Sequence, residues 1–411
     1  MFLERHLQKK VLHLANHAKV ILVLGARQVG KSTLLKQMYP ELPHITFDPF
    51  VDLYNVKEDP DLFLSQYNGP VILDEIQFHP ELMSAIKRKV DGIDKPGQYF
   101  LTGSQSLSVL KNAAESMAGR VMILHMNPMT IHELYGHPDQ HWLPPLFDNP
   151  KILQTKFLGV MPEFSLWQTL WRGGFPGFIR QSEDLHVPFF GSYVQTYIER
   201  DIRLVENIRE LREFDRFIRI LSTLSAQEID MVKVGQEVGV SGQTIKRWVN
   251  LADATYLWQR LDPYHGNTLK RLVKKPKGIF ADTGLACHLI RLSTPDAVGS
   301  YPHLGALFES FVVNQIKAIL ESSSIAASLY HWRTSNGAEV DLLIEHNNTF
   351  YPIEIKSKTL LNKHDARGLK AFKETYPNMN IGMSLIIYPG ERCFYLDKET
   401  LVLPCHGLFD K

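Results

Sequence analysis

Only three cysteines, Cys287, Cys393 and Cys405, occur in the 411 residues, and none forms a C-x-x-C pair. That scarcity excludes a disulfide framework and a cysteine zinc site, and a reducing, cytoplasmic setting fits it best. No apolar run reaches the ~18 to 20 residues that span a bilayer, so no membrane partner is expected. The opening stretch, residues 1–19, is interrupted by charge too often for a signal peptide. A surplus of one charge sign is missing as well: 45 Lys and Arg against 44 Asp and Glu leave a formal net charge of +1. This excludes a uniformly basic coat for nucleic acid, so any such contact has to be regional. Low-complexity tracts are absent, and 44% hydrophobic with 22% charged residues describes a folded chain. Its length predicts about two to four domains.

Against these absences stands GARQVGKS, Gly25 to Ser32, directly after the apolar run Val20 to Leu24. It fills every required position of the phosphate-loop pattern G-x-x-x-x-G-K-[ST]. The run VILVL reads as a buried parallel strand, and Leu34, Leu35 and Met38 give residues 31–38 helical spacing. Strand, glycine loop and helix together place backbone amides and the helix dipole on an anion. Residues Gly25, Ala26, Arg27, Gln28, Val29, Gly30, Lys31, Ser32 and Thr33 are therefore the expected nucleotide contacts, with ATP and Mg²⁺ as cofactors. Lys31 reaches the terminal phosphates and Ser32 holds the metal.

A second apolar strand, VILDEIQ, ends in Asp74 and Glu75. Asp74 is expected to bind the magnesium through water while Glu75 orients or deprotonates the attacking water. A third strand within QYFLTGSQS brings Thr102 or Ser104 to sense the terminal phosphate. After a helix-like segment at 106–118, Arg120 precedes the strand Val121 to Met126. It suits either a finger reaching a neighbouring subunit's nucleotide, which leaves a homo-oligomer open, or a surface salt bridge.

The stretch GHPDQHWLPPLFDN, residues 136–149, reads as a loop and sets a boundary near 150. Apolar positions three and four apart between 185 and 224 predict amphipathic helices, in which Arg200 and Arg203 flank Asp201. From Val234 to Trp258 the rhythm is helix-turn-helix, with Ser241 as cap and Ile245, Trp248, Val249 and Leu251 as apolar face. Strands near 257–263 and 278–281 would make it a winged helix. Gln243, Lys246 and Arg247 could then face a DNA groove, with the run 270–277, KRLVKKPK, on phosphates; an interdomain bracket is the alternative.

In the C-terminal part, GAEVDLLIEHNNTFYPIEIK reads as two strands reversing at Asn347 and Asn348. Glu354 and Lys356 share a strand face, and hairpin pairing can bring Asp341 beside them. Two carboxylates suit Mg²⁺, and the lysine suits positioning a nucleophile or stabilising developing charge. Glu339 is set aside as facing away from Asp341. A solvated hairpin whose three side chains never meet, or a fold kept only for binding, are the competing readings.

The order of GARQVGKS, VILDEIQ, LTGSQS, MAGR, GGFP, YIERDI and FADTGLA, over nearly the full length, resembles prokaryotic AAA-like P-loop ATPases of the signal-transducing type that carry a C-terminal nuclease-like domain. That resemblance implies that Gly174, Phe175 and Pro176 lie in a helical lid, with Pro176 on adenine; read locally, they form a tight turn between helices. The Asp341, Glu354, Lys356 order resembles the PD-(D/E)XK nucleases, which implies Glu309 as a further acidic metal ligand beside Asp341 and Glu354. Val340 stands where those enzymes usually have proline. The expected fold is thus α/β: an AAA-type parallel sheet over 1–150, a helical lid and connector over 151–214, a winged helix over 215–292, and a PD-(D/E)XK nuclease-like domain over 293–411. The expected function is an Mg²⁺-dependent ATPase coupled to a nuclease-like or DNA-binding domain, with a signal-transducing switch bearing an inactive recognition module as the alternative.

Overall fold

The computed structural model describes residues 3–48, 56–105, 117–159, 164–197, 202, 208, 210–266 and 275–409. Among the described residues, β1 (Val20–Leu24), β2 (His44–Thr46), β3 (Val71–Asp74), β4 (Tyr99–Gly103) and β5 (Val121–His125) form one parallel sheet in the order β2-β3-β4-β1-β5. Every residue of β1, β3 and β4 is buried. This is what continuous Val, Ile and Leu runs produce when helices cover both faces of a parallel sheet. Leu24 at the end of β1 lies level with Gly103 of β4 and His125 of β5. The strand ends that carry polar residues are therefore aligned along one edge, where the phosphate loop leaves β1 and opens the helix Lys31–Met38.

The stretch at 136–149, expected as a loop, contains the helix Leu143–Asp148. The helix expected at 106–118 falls outside the described residues over 106–116, as do Arg200, Asp201 and Arg203. Helices Leu166–Arg172, Pro176–Ile179 and His186–Thr196 form an aromatic cluster in which Trp171, Phe175, Phe178 and Phe190 are almost wholly buried. His186 stacks on Trp171 at 3.9 Å between ring centroids.

Helices Met231–Val238 and Gly242–Ala254 are joined as the sequence predicts. Ser241 Oγ accepts a hydrogen bond from the Thr244 amide at 3.0 Å, and Ile245, Trp248, Val249 and Leu251 are buried. Strands β6 (Gln227–Glu228), β7 (Trp258–Pro263) and β8 (Lys277–Phe280) accompany them. These do not form a free wing. The outer edge of β7 pairs with β9 (Ser328–Arg333), which places Asp262 beside Tyr330. The pairing merges everything into one sheet of order β13-β14-β12-β11-β10-β9-β7-β8-β6. A sheet edge leaves backbone donors and acceptors unpaired, and a neighbouring strand removes that exposure.

The remaining strands are β10 (Glu339–His346), β11 (Thr349–Ile355), β12 (Ser384–Tyr388), β13 (Phe394–Asp397) and β14 (Thr400–Pro404). Asn347 and Asn348 both take positive φ, 48° and 58°, as a two-residue hairpin turn matched to strand twist requires. The turn fixes Leu342 opposite Ile353. The long helix Leu304–Ser322 bridges the two sheets, touching β5, β8 and β11.

Candidate functional site

The phosphate loop is shaped by two close approaches. A Cβ on Gly25 would lie 2.1 Å from the Met126 carbonyl oxygen, and Gly30 adopts φ +98° as it caps the helix. Only glycine satisfies both at no cost. Lys31 is buried, and its ammonium donates to the Gly25 and Ala26 carbonyls at 2.9 and 2.8 Å. It therefore lies across the loop it belongs to. Ser32 Oγ donates to Asp74 Oδ1 at 2.7 Å, joining the loop to the end of β3.

Asp74 is also held by Thr102, whose hydroxyl donates to Oδ1, and by Thr46, which donates to Oδ2 at 3.3 Å. Glu75 has φ +61°, a conformation that turns the chain sharply after the strand. Its amide donates to Thr102 Oγ1 at 3.1 Å, and its carboxylate accepts from Gln77 Nε2. The same Gln77 amide donates to Ser104 Oγ at 3.0 Å. Ser32, Asp74, Glu75, Thr102 and Ser104 thus form one connected network. Pro176 also reaches this loop: its Cγ lies 3.9 Å from where a Cβ on Gly30 would stand.

Arg120 is the exception among the N-terminal candidates. It directly precedes β5, at the end of the strands opposite the phosphate loop, and its guanidinium binds Asp91 at 2.6 and 3.2 Å. It takes no part in this chain's own nucleotide site, and the surface ion pair is the reading that the geometry favours.

The C-terminal candidates converge. The Ile355 amide donates to Asp341 Oδ2 at 2.8 Å; Lys356 pairs with Glu354 and stands 3.7 Å from Asp341. Glu309, from the long helix, accepts from Lys277 Nζ at 2.8 Å, and Glu339 binds the same ammonium. Burial, with the Asp341 charge adding to it, pushes the Glu309 carboxyl up to about 8 against the pull of Lys277. Burial and Asp341 likewise raise Glu354, against Lys356. Burial lowers Lys277, but Glu309, Asp341 and Glu339 outweigh it and hold the ammonium charged.

Three expectations change here. Glu339 does not face away: residues two apart on a strand share a face, so it lies on the side of Asp341 and joins the cluster through Lys277. Lys277, expected on nucleic-acid phosphates, is 3% exposed. Residues 270–274 of that basic run lie outside the described residues. Glu309, Asp341 and Glu354, expected as a metal set, are brought together as partners of two lysines instead. Among the described residues, no group of three or more His, Cys, Asp or Glu side chains is arranged to hold a metal ion.

Residues 17–135 match the family model described as an AAA domain. The chain carries an AAA-type P-loop ATPase domain. Residues 163–296 and 304–408 match two models described as domains of unknown function, DUF8612 and DUF4143. Uncharacterized proteins of Mycobacterium tuberculosis and Mycobacterium bovis are each 27% identical over 409 residues, which is 98% of this chain and 84% of theirs. Similar solved structures include a Walker-type ATPase of Pyrococcus abyssi, 15% identical with a TM-score of 0.42, covering 69% of this chain and 94% of that one. The Thermotoga maritima RuvB Holliday junction branch migration motor is 16% identical with a TM-score of 0.31, covering 63% and 90%. No helix among the described residues is long and apolar enough to cross a membrane.

Around the phosphate loop, the structure adds residues that the sequence did not single out. Arg5 is buried and donates to Glu133 at 3.0 Å, to the Val29 carbonyl at 2.7 Å and to the Asn127 carbonyl at 2.6 Å. It ties the phosphate loop to the turn after β5. Burial pushes the Glu133 carboxyl up, but the Arg5 and His6 charges and backbone donors hold it below the usual range. Gln77 carried a local signal, since it lies in VILDEIQ; Arg5, in the interrupted N-terminal stretch, carried none. A cavity of about 360 Å³ opens beside Ala26, bordered by His125, Tyr256, Lys317 and Glu321.

Proposed function

We propose that the protein is an Mg²⁺-dependent ATPase whose nucleotide cycle governs a C-terminal domain acting on DNA. The observation that carries the ATPase half is the connected network from Ser32 through Asp74 and Thr102 to Glu75, Gln77 and Ser104. The loop amides and Lys31 bind the phosphates, and Lys31 exchanges two carbonyl partners for phosphate oxygens when ATP enters. Ser32 and Asp74, with oxygens already 2.7 Å apart, are a fitting pair for Mg²⁺ directly and through water. The bound ion supplies charge neutralisation on the β- and γ-phosphates. Glu75, fixed by Gln77, orients the attacking water, and Ser104 reports the terminal phosphate through the same glutamine. The segment 166–196 serves as the lid, with Pro176 beside Gly30.

The DNA half rests on the convergence of Asp341, Glu354 and Lys356 and on Gln243 and Lys246, which are exposed on the helix Gly242–Ala254 of a winged-helix-like unit. Lysines occupy the carboxylate oxygens of this cluster as they stand. That pairing also favours the second reading, a switch whose C-terminal domain recognises a partner without cutting it. The deciding experiment incubates the full chain with ATP, Mg²⁺ and a panel of duplex, single-stranded and branched DNA. Cleavage that disappears in Asp341→Ala while ATP hydrolysis persists supports the nuclease reading. ATP hydrolysis with no cleavage of any substrate supports the switch.

A further inference from the structure

Asp74, at the end of β3, has its two carboxylate oxygens held unequally. Oδ1 accepts from the Ser32 hydroxyl at 2.7 Å and from the Thr102 hydroxyl. Oδ2 accepts from Thr46 Oγ1, and at 3.3 Å that bond is long for a hydroxyl donor. A second side chain of β2 faces this looser oxygen. His44 Nε2 stands 3.7 Å from Oδ2, with the histidine side chain only 13% exposed. That separation is too long for a hydrogen bond, and Nε2 is buried with no hydrogen-bond partner among the described residues. A buried polar atom left without a partner costs stability, so a histidine kept in that condition beside a site carboxylate calls for a reason.

The strand pairing explains the placement. β2 runs parallel to β3, with Thr46 level with Asp74 and His44 level with Ile72. Residues two apart share a strand face, so His44 and Thr46 approach Asp74 from the same side. β2 is the three-residue edge of its sheet, and closing the contact to the usual length of about 3.0 Å takes less than an ångström. Burial, with the Lys36 charge, holds the imidazole below its usual range against the pull of Asp74. The ring is therefore neutral at neutral pH and carries one N–H. A lone pair on Nε2 would face the Asp74 carboxylate, so the proton belongs on Nε2, and the ring is a donor aimed at Oδ2.

We propose that His44 is a positioning residue for the Mg²⁺ of the nucleotide: its Nε2–H closes on Asp74 Oδ2 and fixes the direction in which this carboxylate meets metal-bound water. The role rests on the reading of Ser32 and Asp74 as the Mg²⁺ pair, and His44 itself touches neither metal nor nucleotide. Two hydroxyls already hold Oδ1. The freedom left to the carboxylate is the swing of Oδ2, and that is the oxygen His44 faces. A carboxylate that serves a cation is oriented by the donors behind it, and losing such a donor typically lowers metal affinity about tenfold or more.

Two measurements on the full chain test this. The first titrates a fluorescent, non-hydrolysable ATP analogue in EDTA and again in saturating Mn²⁺; the ratio of the two dissociation constants is the contribution of the metal. His44→Leu should leave the value in EDTA unchanged and cut the ratio about tenfold, a loss of about 1.4 kcal/mol. His44→Gln, whose amide NH₂ can donate to Oδ2, should recover most of it. The second measurement is urea unfolding in EDTA without nucleotide. Because His44 Nε2 has no partner to lose, His44→Leu should be at least as stable as wild type, whereas a histidine kept for structure would leave the variant less stable.

A metal ratio that falls in His44→Leu and returns in His44→Gln supports the positioning role. An unchanged ratio in His44→Leu overturns it, and so does a ratio that His44→Gln fails to restore. If His44→Leu does not fold, His44→Ala takes its place in the same titration. The wild-type titration separates this role from the reading beneath it. Analogue bound equally well with and without Mn²⁺ defeats Ser32 and Asp74 as the metal pair, and no binding at all defeats the ATPase. A wild-type metal ratio that the His44 variants share defeats His44 alone.

Discussion

Arg5 and Glu133 meet at 3.0 Å, each almost fully buried, and the same guanidinium donates to the Val29 carbonyl inside the phosphate loop. A planar fork spreads its donors over three nitrogens and so reaches a carboxylate and two carbonyls on different sides, whereas an ammonium directs all its donors from one atom. The pair thus fixes the loop from below, on a residue with no part in the phosphate-loop pattern.

Arg5→Ala should destabilise the protein by about 3–5 kcal/mol, because it leaves the Glu133 carboxylate buried without its partner. Urea unfolding measures this. Arg5→Lys should recover only part of the loss. A double variant, Arg5→Met with Glu133→Leu, should be closer to wild type than Arg5→Ala alone. Equal stability of Arg5→Ala and wild type would remove the brace.

Lys31→Ala should lose ATP binding, since its ammonium is the loop group that the phosphate-loop pattern assigns to the terminal phosphates. Glu75→Gln should bind ATP and retain it unhydrolysed. Filter binding of labelled ATP separates the two variants from a turnover assay, and unchanged hydrolysis in both would sink the site assignment.

Gln77→Ala cuts the link between the Glu75 carboxylate and the Ser104 hydroxyl. A hydrogen bond to a charged group contributes about 1.5–3 kcal/mol. The expected result is a kcat lower by about tenfold or more, with KM for ATP little changed, because the contact orients the water and does not hold the nucleotide. A change confined to KM would contradict this.

Burial, with His6 nearby, pushes the His132 imidazole down to about 4. Its Nε2 lies 3.1 Å from the Gly407 carbonyl, which matches the neutral tautomer that donates there. In the unfolded chain the same group titrates near its usual ~6.5. Between these values the unfolded chain binds the extra proton, so stability falls as pH drops from about 6.5 toward 4 and is unaffected by this group above that window. His132→Gln, which can still donate to Gly407, should flatten the slope of unfolding free energy against pH by up to about 1.4 kcal/mol per unit. An unchanged slope in that window would exclude the assignment.

Much of this protein is written locally. The Val20–Leu24 strand, the glycine loop and the Lys31–Met38 helix, the Asp74-Glu75 strand end, the Ser241-capped helix and the Asn347-Asn348 hairpin each follow from neighbouring residues and their dihedral preferences. The hairpin register even carried Asp341 to Glu354, because a two-residue turn fixes pairing. The rest depends on contacts over long sequence separations. Which strand would cover the free edge of β7 is a question of tertiary pairing, and β9 covers it; this turned an expected wing into part of a sheet. That pairing helped bury Lys277 among Glu309, Glu339 and Asp341, where the sequence showed only one more lysine in a basic run. The sequence supplied the charges of the phosphate loop and the C-terminal cluster. Folding decided which of them neutralise one another, because the cost of burying a charge is set by what the tertiary structure places beside it.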